Sequence, residues 1–264
     1  MTQPSAPSLL GVFAHPDDES LLAGGVLAQH AAAGARTGVV TATWTADSHR
    51  APELANALTA LGAGAPRLLG YADARNPNSA PGGATRLVDA PLDEAVGRLV
   101  ADIRQFQPDI VIGHDALGQL TGHPDHRHTH HITLIAVEAA GLPHLYPDAG
   151  QSWQPSAFYA ATHPQSAITD LGPLLSEVGK TLLTVPDEYV TAVVDVTAWL
   201  DRKWAAICSH LSQLKGKRPL PALLSRADAQ RRDSILATEY FTRLSLPCGG
   251  PATSKRTGSP PRLW

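Results

Sequence analysis

The chain has 264 residues, a formal net charge of −3 at pH 7, 43% hydrophobic residues and two cysteines. This length fits one large α/β domain or two small ones. The slightly negative charge and the lack of a basic stripe argue against nucleic acid or membrane surfaces as partners, and no apolar run reaches the ~20 residues of a membrane helix.

Cys208 and Cys248 lie far apart in the sequence and form no disulfide framework, which favours a reducing compartment. The first residues have neither the basic nor the apolar region of a secretory signal. We therefore expect a cytoplasmic protein. The composition leaves open whether it forms a homo-oligomer.

Strands and helices alternate along the first half of the chain. Continuous apolar or β-branched runs predict buried strands at residues 9–14, 37–43, 67–71 and 109–113. Helical spacing of apolar residues, with proline in the first turn of three segments, predicts helices at 20–33, 52–61, 91–107 and 124–140. Such alternation predicts a Rossmann-like, doubly wound and mostly parallel sheet with helices on both faces.

The second half has a weaker pattern, with strands predicted at 156–162, 180–185 and 189–196 and a helix at 199–214. The segments 72–90 and 246–264 lack periodicity and are expected to be irregular, the first as a mobile rim over a site. We expect a single catalytic domain at 1–245 with C-terminal additions to the sheet, followed by a loose tail at 246–264.

Two short motifs combine imidazoles and carboxylates without a thiolate: Ala14-His15-Pro16-Asp17-Asp18-Glu19 and Gly122-His123-Pro124-Asp125-His126. The first follows the first strand and the second follows the fourth. In the strand order 3-2-1-4-5 these strands are neighbours, and ligands bind beyond their carboxyl ends. The two motifs are therefore expected to form one site.

Imidazole with carboxylate is the ligand set of a hydrolytic zinc that keeps one position open for water. The remaining acids would serve proton transfer. Each motif also has an ordinary explanation: acids that open a helix, or a solvated histidine-rich helix start. Among the helical imidazoles His126 is the best candidate ligand, whereas His128, His130 and His131 are expected to be structural.

Other enzyme classes find no support in the sequence. The turn after the first strand carries acids where a dinucleotide pyrophosphate requires backbone N–H groups. A nucleotide cofactor is therefore not expected. No Gly-x-Ser-x-Gly elbow is present, which argues against a serine hydrolase.

The two motifs together resemble those of the LmbE/PIG-L family of zinc-dependent de-N-acetylases, and the second is similar to that of the mycothiol-pathway branch. Weaker similarities cover most of the chain, at Arg50-Ala51-Pro52-Glu53-Leu54, Leu69-Gly70-Tyr71 with Asp73, Asp195-Val196, Lys203 and His210-Leu211-Ser212-Gln213.

The resemblance implies that zinc is held by His15, Asp18 and His126. It makes Asp17 the general base on the zinc-bound water. His123, oriented by Asp125, would stabilise the oxyanion or protonate the leaving amine. Arg50 and Asp73 would contact sugar hydroxyls.

Three segments depart from the family pattern, all on the substrate side: residues 44–48, residues 73–76, and Thr121, where some members have a tyrosine. The resemblance therefore predicts a zinc-dependent deacetylase acting on a small glucosamine-containing molecule and leaves the exact substrate open. One alternative is an amidase for a larger amide, such as a mycothiol S-conjugate or an antibiotic intermediate. The other is a zinc-binding module without activity, against which the retained Asp17 and Asp125 argue.

Overall fold

The computed structural model describes residues 6–180, 182–246 and 263. They form a seven-stranded sheet with the order β3-β2-β1-β4-β5-β7-β6. The first five strands are parallel, and β7 runs antiparallel to both of its neighbours. The strands are β1 (Leu9–Phe13), β2 (Thr37–Thr43), β3 (Arg67–Tyr71), β4 (Ile110–His114), β5 (Ala157–Thr162), β6 (Ala192–Asp195) and β7 (Thr238–Ser245).

Helices cover both faces of the sheet, and alternate side chains of the strands face one layer or the other. In β1, Leu9 and Phe13 pack with the layer of α1, α2 and α6, while Leu10 and Val12 pack with that of α3 and α4. The helices are α1 (Asp18–Ala32), α2 (Arg50–Leu61), α3 (Leu92–Phe106), α4 (Pro124–Ala139), α5 (Ile168–Ser176), α6 (Leu200–Ser209), α7 (Leu220–Leu224) and α8 (Ala229–Leu236).

The structure confirms the predicted α/β fold and the predicted order of the first five strands, whereas two predictions on the second half are wrong and several elements there were not predicted. The described residues of the predicted strand 180–185 form no strand, because the place beside β5 is taken by β7. Their backbone N–H groups instead bond the carbonyls of Leu120 and His163. Strand β7 and helices α5, α7 and α8 were not predicted. The helix predicted at 199–214 ends at Ser209.

The segment 72–90 is irregular apart from two short 3₁₀ turns, Pro77–Ser79 and Leu87–Asp89, as predicted. The division into a domain at 1–245 and a tail at 246–264 stays a prediction, because residues 247–262 and 264, with Cys248, lie outside the described residues. Within the described part of the chain, no helix is long and apolar enough to cross a membrane.

Helix α1 lies unusually close to the chain that follows β6. A Cβ atom on Gly25 would lie 2.3 Å from Cβ of Val196, so only glycine fits there. The carboxylate of Glu239 on β7 accepts hydrogen bonds from the backbone N–H groups of Gly25 and Val26, at 2.7 and 3.0 Å. The ammonium group of Lys203, itself buried, pairs with Glu239 at 2.8 Å. Because a buried carboxylate needs such partners, this network fixes α1 against α6 and β7.

Candidate functional site

The site lies at the carboxyl ends of β1 and β4, where the two motifs meet. His15 follows β1 by two residues, and His126 lies in the first turns of α4. Nδ1 of His15 is 3.1 Å from Nε2 of His126, although the two residues are 111 positions apart in the chain. The parallel pairing of β1 with β4 produces this contact.

His15, Asp18 and His126 present three donor atoms at nearly equal separations. Oδ2 of Asp18 is 3.3 Å from Nδ1 of His15 and 3.3 Å from Nε2 of His126. In a tetrahedral zinc site with ligands at about 2.0–2.1 Å, ligand atoms lie roughly 3.4 Å apart. The spacing of the three atoms is therefore that of a zinc site.

The hydrogen bonds of both imidazoles leave these nitrogens free to act as ligands. Nε2 of His15 is 3.2 Å from Oδ2 of Asp125, so the neutral ring holds its proton on Nε2 and has its lone pair on Nδ1. Nδ1 of His126 donates to the carbonyl of Gly118 at 3.2 Å, which leaves Nε2 without a proton.

A third imidazole, His114 at the end of β4, lies close to this group but has both nitrogens occupied. Its Nδ1 is 2.7 Å from Oε1 of Gln119, and its Nε2 accepts the backbone N–H of Ala14 at 2.9 Å. The ring stacks on that of His126, with centroids 4.1 Å apart. His114 therefore packs behind His126 and offers no free nitrogen to the group. It was missed because it precedes the second motif.

The charges of the group are those of a cation site. Burial alone would lower the pKa of His15, but its hydrogen bonds to Asp125 and Asp18 raise that pKa to about 10. An imidazolium at His15 supplies the positive charge that the surrounding carboxylates require, and a metal ion bound at Nδ1 would supply that charge in place of the Nδ1 proton. Burial lowers the pKa of His126 to about 4, so this side chain is neutral and available as a ligand.

Asp17 adopts a strained backbone conformation beside the three ligands. Its φ of 123° is one that residues with a side chain rarely adopt, at a cost of about 1–3 kcal/mol. Oδ1 of Asp17 accepts from the guanidinium of Arg50 at 2.9 Å. Burial raises the pKa of Asp17 to about 6, against the lowering effect of Arg50. At pH 7 the carboxylate is therefore ionised but basic enough to accept a proton.

His123 caps the N-terminus of α4, and its Nδ1 accepts the backbone N–H of Asp125 at 3.3 Å. Its ring meets that of His15 edge to face, with centroids 4.6 Å apart. Burial, together with the charges of His15 and His126, lowers the pKa of His123 to about 3. His123 is therefore a neutral imidazole with its proton on Nε2.

Asp125 and Asp73 both face His15. Oδ2 of Asp125 is 3.8 Å from Nδ1 of His123, farther than its 3.2 Å contact with His15, and it also accepts the backbone N–H of Ala74 at 2.8 Å. Oδ2 of Asp73 lies 3.3 Å from Nε2 of His15. The carboxylate expected to orient His123 thus makes its shortest side-chain contact with a proposed metal ligand.

A cavity of about 280 Å³ opens beside these groups. Arg50, Asp73 and Thr121, singled out in the sequence, all line it. The guanidinium of Arg50 also stacks over Trp44 at 4.6 Å and bonds the carbonyl of Pro16. The opposite wall comes from the second half of the chain and includes residues that the sequence did not indicate: Leu175, Lys180, Pro219, Leu220 and Pro221.

The chain is similar to known deacetylases in sequence and in fold. Residues 10–137 match the family model described as PIG-L, GlcNAc-PI de-N-acetylase. The chain is 39% identical to 1D-myo-inositol 2-acetamido-2-deoxy-alpha-D-glucopyranoside deacetylase of Rhodococcus jostii, over 88% of this chain and 90% of that protein. It is 37% identical to the protein of the same name from Mycolicibacterium smegmatis, over 81% and 82%.

Among solved structures, the fold is similar to that of N,N'-diacetylchitobiose deacetylase from Pyrococcus horikoshii, with a TM-score of 0.63 and 20% identity. The match covers 91% of this chain and 84% of that one.

Proposed function

This chain belongs to the PIG-L (GlcNAc-PI de-N-acetylase) family, and on that premise we propose that it is a zinc-dependent N-deacetylase. It would remove an acetyl group from the 2-amino position of a glucosamine-containing small molecule. The relatives named above act, by their names, on a 2-acetamido-2-deoxy-glucopyranoside of myo-inositol. We propose the same pseudo-disaccharide as the substrate.

The observation that carries the proposal is the triangle of donor atoms from His15, Asp18 and His126. Asp17 lies beside it and is not one of the three ligands. A site that only stores a metal has no need for a second carboxylate that is strained and basic beside the three ligands. Hydrolysis does need one, because a proton must leave the attacking water.

Zinc is the metal that this donor set fits, since two neutral imidazoles and one carboxylate make three ligands of a hydrolytic site. His15, Asp18 and His126 would hold it. When bound, zinc supplies a water of lowered pKa and a Lewis acid for the acetamide carbonyl. Asp125 and the Gly118 carbonyl fix the imidazole tautomers that this binding requires.

The remaining side chains move and hold protons. Asp17, paired through Oδ1 with Arg50, takes the proton of the attacking water on its carboxylate and passes it to the departing amine. His123 holds its proton at Nε2 and donates a hydrogen bond to the oxygen of the tetrahedral intermediate. A neutral imidazole suits this donor role better than that of a strong acid.

The sugar would occupy the cavity of about 280 Å³, with Arg50 and Asp73 on its wall. Both roles stay predictions, because each side chain also has a partner within the protein: Arg50 bonds Asp17, and Asp73 faces His15. The cytoplasmic location and the oligomeric state stay predictions as well.

The proposal is tested by amine release from two acetamides, N-acetylglucosaminyl-inositol and N-acetylglucosamine, and from a larger amide, an S-conjugate of a glucosaminyl-inositol thiol. We expect the first to give the highest kcat/KM. Asp17→Asn should retain zinc and lose about 10²–10⁴ in kcat, the usual effect of removing a general base. Preference for the S-conjugate would favour the larger-amide alternative. Zinc binding without hydrolysis of any substrate would refute the enzymatic proposal.

A further inference from the structure

Glu19 is a fully buried carboxylate that the proposed mechanism does not use. It follows the ligand Asp18 in the chain, yet its side chain turns away from the three ligand atoms. Oε2 accepts the backbone N–H of Asp17 at 2.9 Å, and Oε1 accepts the hydroxyl of Ser20 at 2.5 Å. A glutamate that reaches back to the first N–H of its helix resembles a capping box.

A third partner of Glu19 comes from the second half of the chain. His210, also fully buried, directs its Nε2 at Oε1 of Glu19 over 2.8 Å. The residue stands directly after α6 with φ −81° and ψ 67°, so the helix ends where the imidazole turns toward the site.

The loop that carries His210 is itself anchored. The backbone N–H and the hydroxyl of Ser212 donate to the two carboxylate oxygens of Glu53 on α2, at 2.8 and 2.7 Å. Arg50, one turn earlier on the same helix, holds the side chain of Asp17. Helix α2 and the loop after α6, which Ser212 and Glu53 join, thus both hold Asp17. Arg50 on α2 holds its side chain, and His210 in the loop holds its backbone N–H through Glu19.

The conformation of Asp17 explains why such a connection is needed. Its φ of 123° persists only where surrounding contacts impose it. The backbone N–H of Asp17 donates to the side chain of Glu19, which is flexible by itself. This hydrogen bond can fix the backbone of Asp17 only if other contacts hold the Glu19 carboxylate in place. His210 and Ser20 hold it.

We infer that the buried Glu19–His210 pair positions the general base Asp17, by fixing the backbone N–H of Asp17 in the strained conformation. The inference rests on the proposed function, because it takes Asp17 as the base. It assigns a role to the His210-Leu211-Ser212-Gln213 segment, which otherwise only lies near the cavity. His210 is a positioning residue and touches neither substrate nor metal ligands.

Two substitutions of His210 form a matched pair. In His210→Gln the side-chain amide N–H takes the place of Nε2–H and still reaches Glu19, whereas the shorter side chain of His210→Asn does not. His30 offers a control, because it is a buried imidazole near the C-terminal end of α1 whose ring nitrogens lie 3.1 Å from the carbonyls of Pro7 and Leu263. His30→Asn therefore measures the effect of removing a buried, hydrogen-bonded imidazole at the other end of α1.

The measurements are kcat, KM, zinc per chain and the melting temperature of zinc-loaded protein. We expect His210→Asn to lose about 10–100-fold in kcat, as outer-shell substitutions do, with KM and zinc content unchanged. His210→Gln should regain most of the kcat. His30→Asn should lower only the melting temperature. Equal kcat in the two His210 variants, or loss of zinc together with activity, would overturn the inference.

A second readout separates this inference from the proposed function. Crystal structures of zinc-loaded wild type and His210→Asn give the φ angle of Asp17 directly. Relaxation of that angle to a negative value in the variant supports the inference, and an unchanged angle near 123° overturns it. If the wild type hydrolyses none of the acetamides, the proposed function fails while this comparison still decides what holds the Asp17 backbone.

Discussion

Nη2 of Arg50 lies 2.9 Å from Oδ1 of Asp17, so the residue expected to bind sugar is paired with the expected general base. Arg50 is buried, and this pair sets both the position and the charge of the Asp17 carboxylate.

The pair leads to a prediction that separates two roles of Arg50. If its main effect acts through Asp17, Arg50→Ala should lower kcat for N-acetylglucosaminyl-inositol and for a simple acetamide by the same factor, about 10–100-fold. A residue that only binds sugar hydroxyls would instead lower kcat/KM only for the sugar substrate. Steady-state kinetics on both substrates decide between these outcomes, with Asp73→Asn measured in parallel.

The zinc content of the protein should depend on the three proposed ligands and not on the other imidazoles of α4. We expect about one zinc per chain in the wild type and in His128→Ala, because His128 lies on α4 outside the triangle. His126→Ala should lose zinc and activity together. Mass spectrometry of the purified proteins measures the zinc content. After removal of the metal with a chelator, added zinc should restore activity to the wild type and to His128→Ala but not to His126→Ala. Stoichiometric zinc in His126→Ala would contradict the assignment.

Thr121 lines the cavity where some family members have a tyrosine. Its hydroxyl is several ångströms closer to the backbone than that of a tyrosine would be, so in the proposed mechanism the oxyanion would depend on the metal and His123. We expect Thr121→Val to change kcat by less than about tenfold, and His123→Ala to lose about 10²–10³, the effect of one oxyanion donor. Zinc content should be unchanged in both. A large loss in Thr121→Val would show a direct part for the hydroxyl.

His163, which lines a second cavity of about 320 Å³, should make stability depend on pH. Burial lowers its pKa from 6.5 to about 4 in the folded chain. Between these values the unfolded chain binds a proton that the folded chain does not, so the free energy of unfolding falls as the pH falls from 6.5 to 4.

His163→Gln should remove this contribution, about 1–3 kcal/mol. Urea unfolding of both proteins in chelator at pH 7 and pH 4.5 measures it. The wild type should lose more stability than the variant on acidification, and an equal loss would show that His163 is not the group responsible.

Four of the first five strands are buried on both faces and could be predicted from their apolar and β-branched residues, whereas β3 is only partly buried. Their order is the one common to doubly wound sheets. Strand β7 is only half-buried, and its apolar signal is weaker. The segment 180–185 has strand-like residues but no free strand beside it, which only the complete fold determines.

The candidate site, too, could be predicted only in part. The sequence indicated the residue types around the metal because the two motifs are local and specific. It did not indicate that Asp125 contacts His15 more closely than His123, or that His210 ends α6 to reach Glu19. These contacts join residues 110 and 191 positions apart, and no local pattern encodes them.

The contact between Gly25 and Val196 has a consequence for mutational tolerance. Helix α1 begins with Asp18 and Glu19 and passes Val196 two turns later. A shift of the helix at Val196 therefore also moves its first turn. A methyl group on Gly25 would require the helix and Val196 to separate by about an ångström, and we expect part of that displacement to reach the end of α1 that carries Asp18. Tolerances for metal ligands are only a few tenths of an ångström. In a mutational library, substitutions at Gly25 should therefore be depleted as strongly as substitutions of the ligands themselves, although the residue has no functional group.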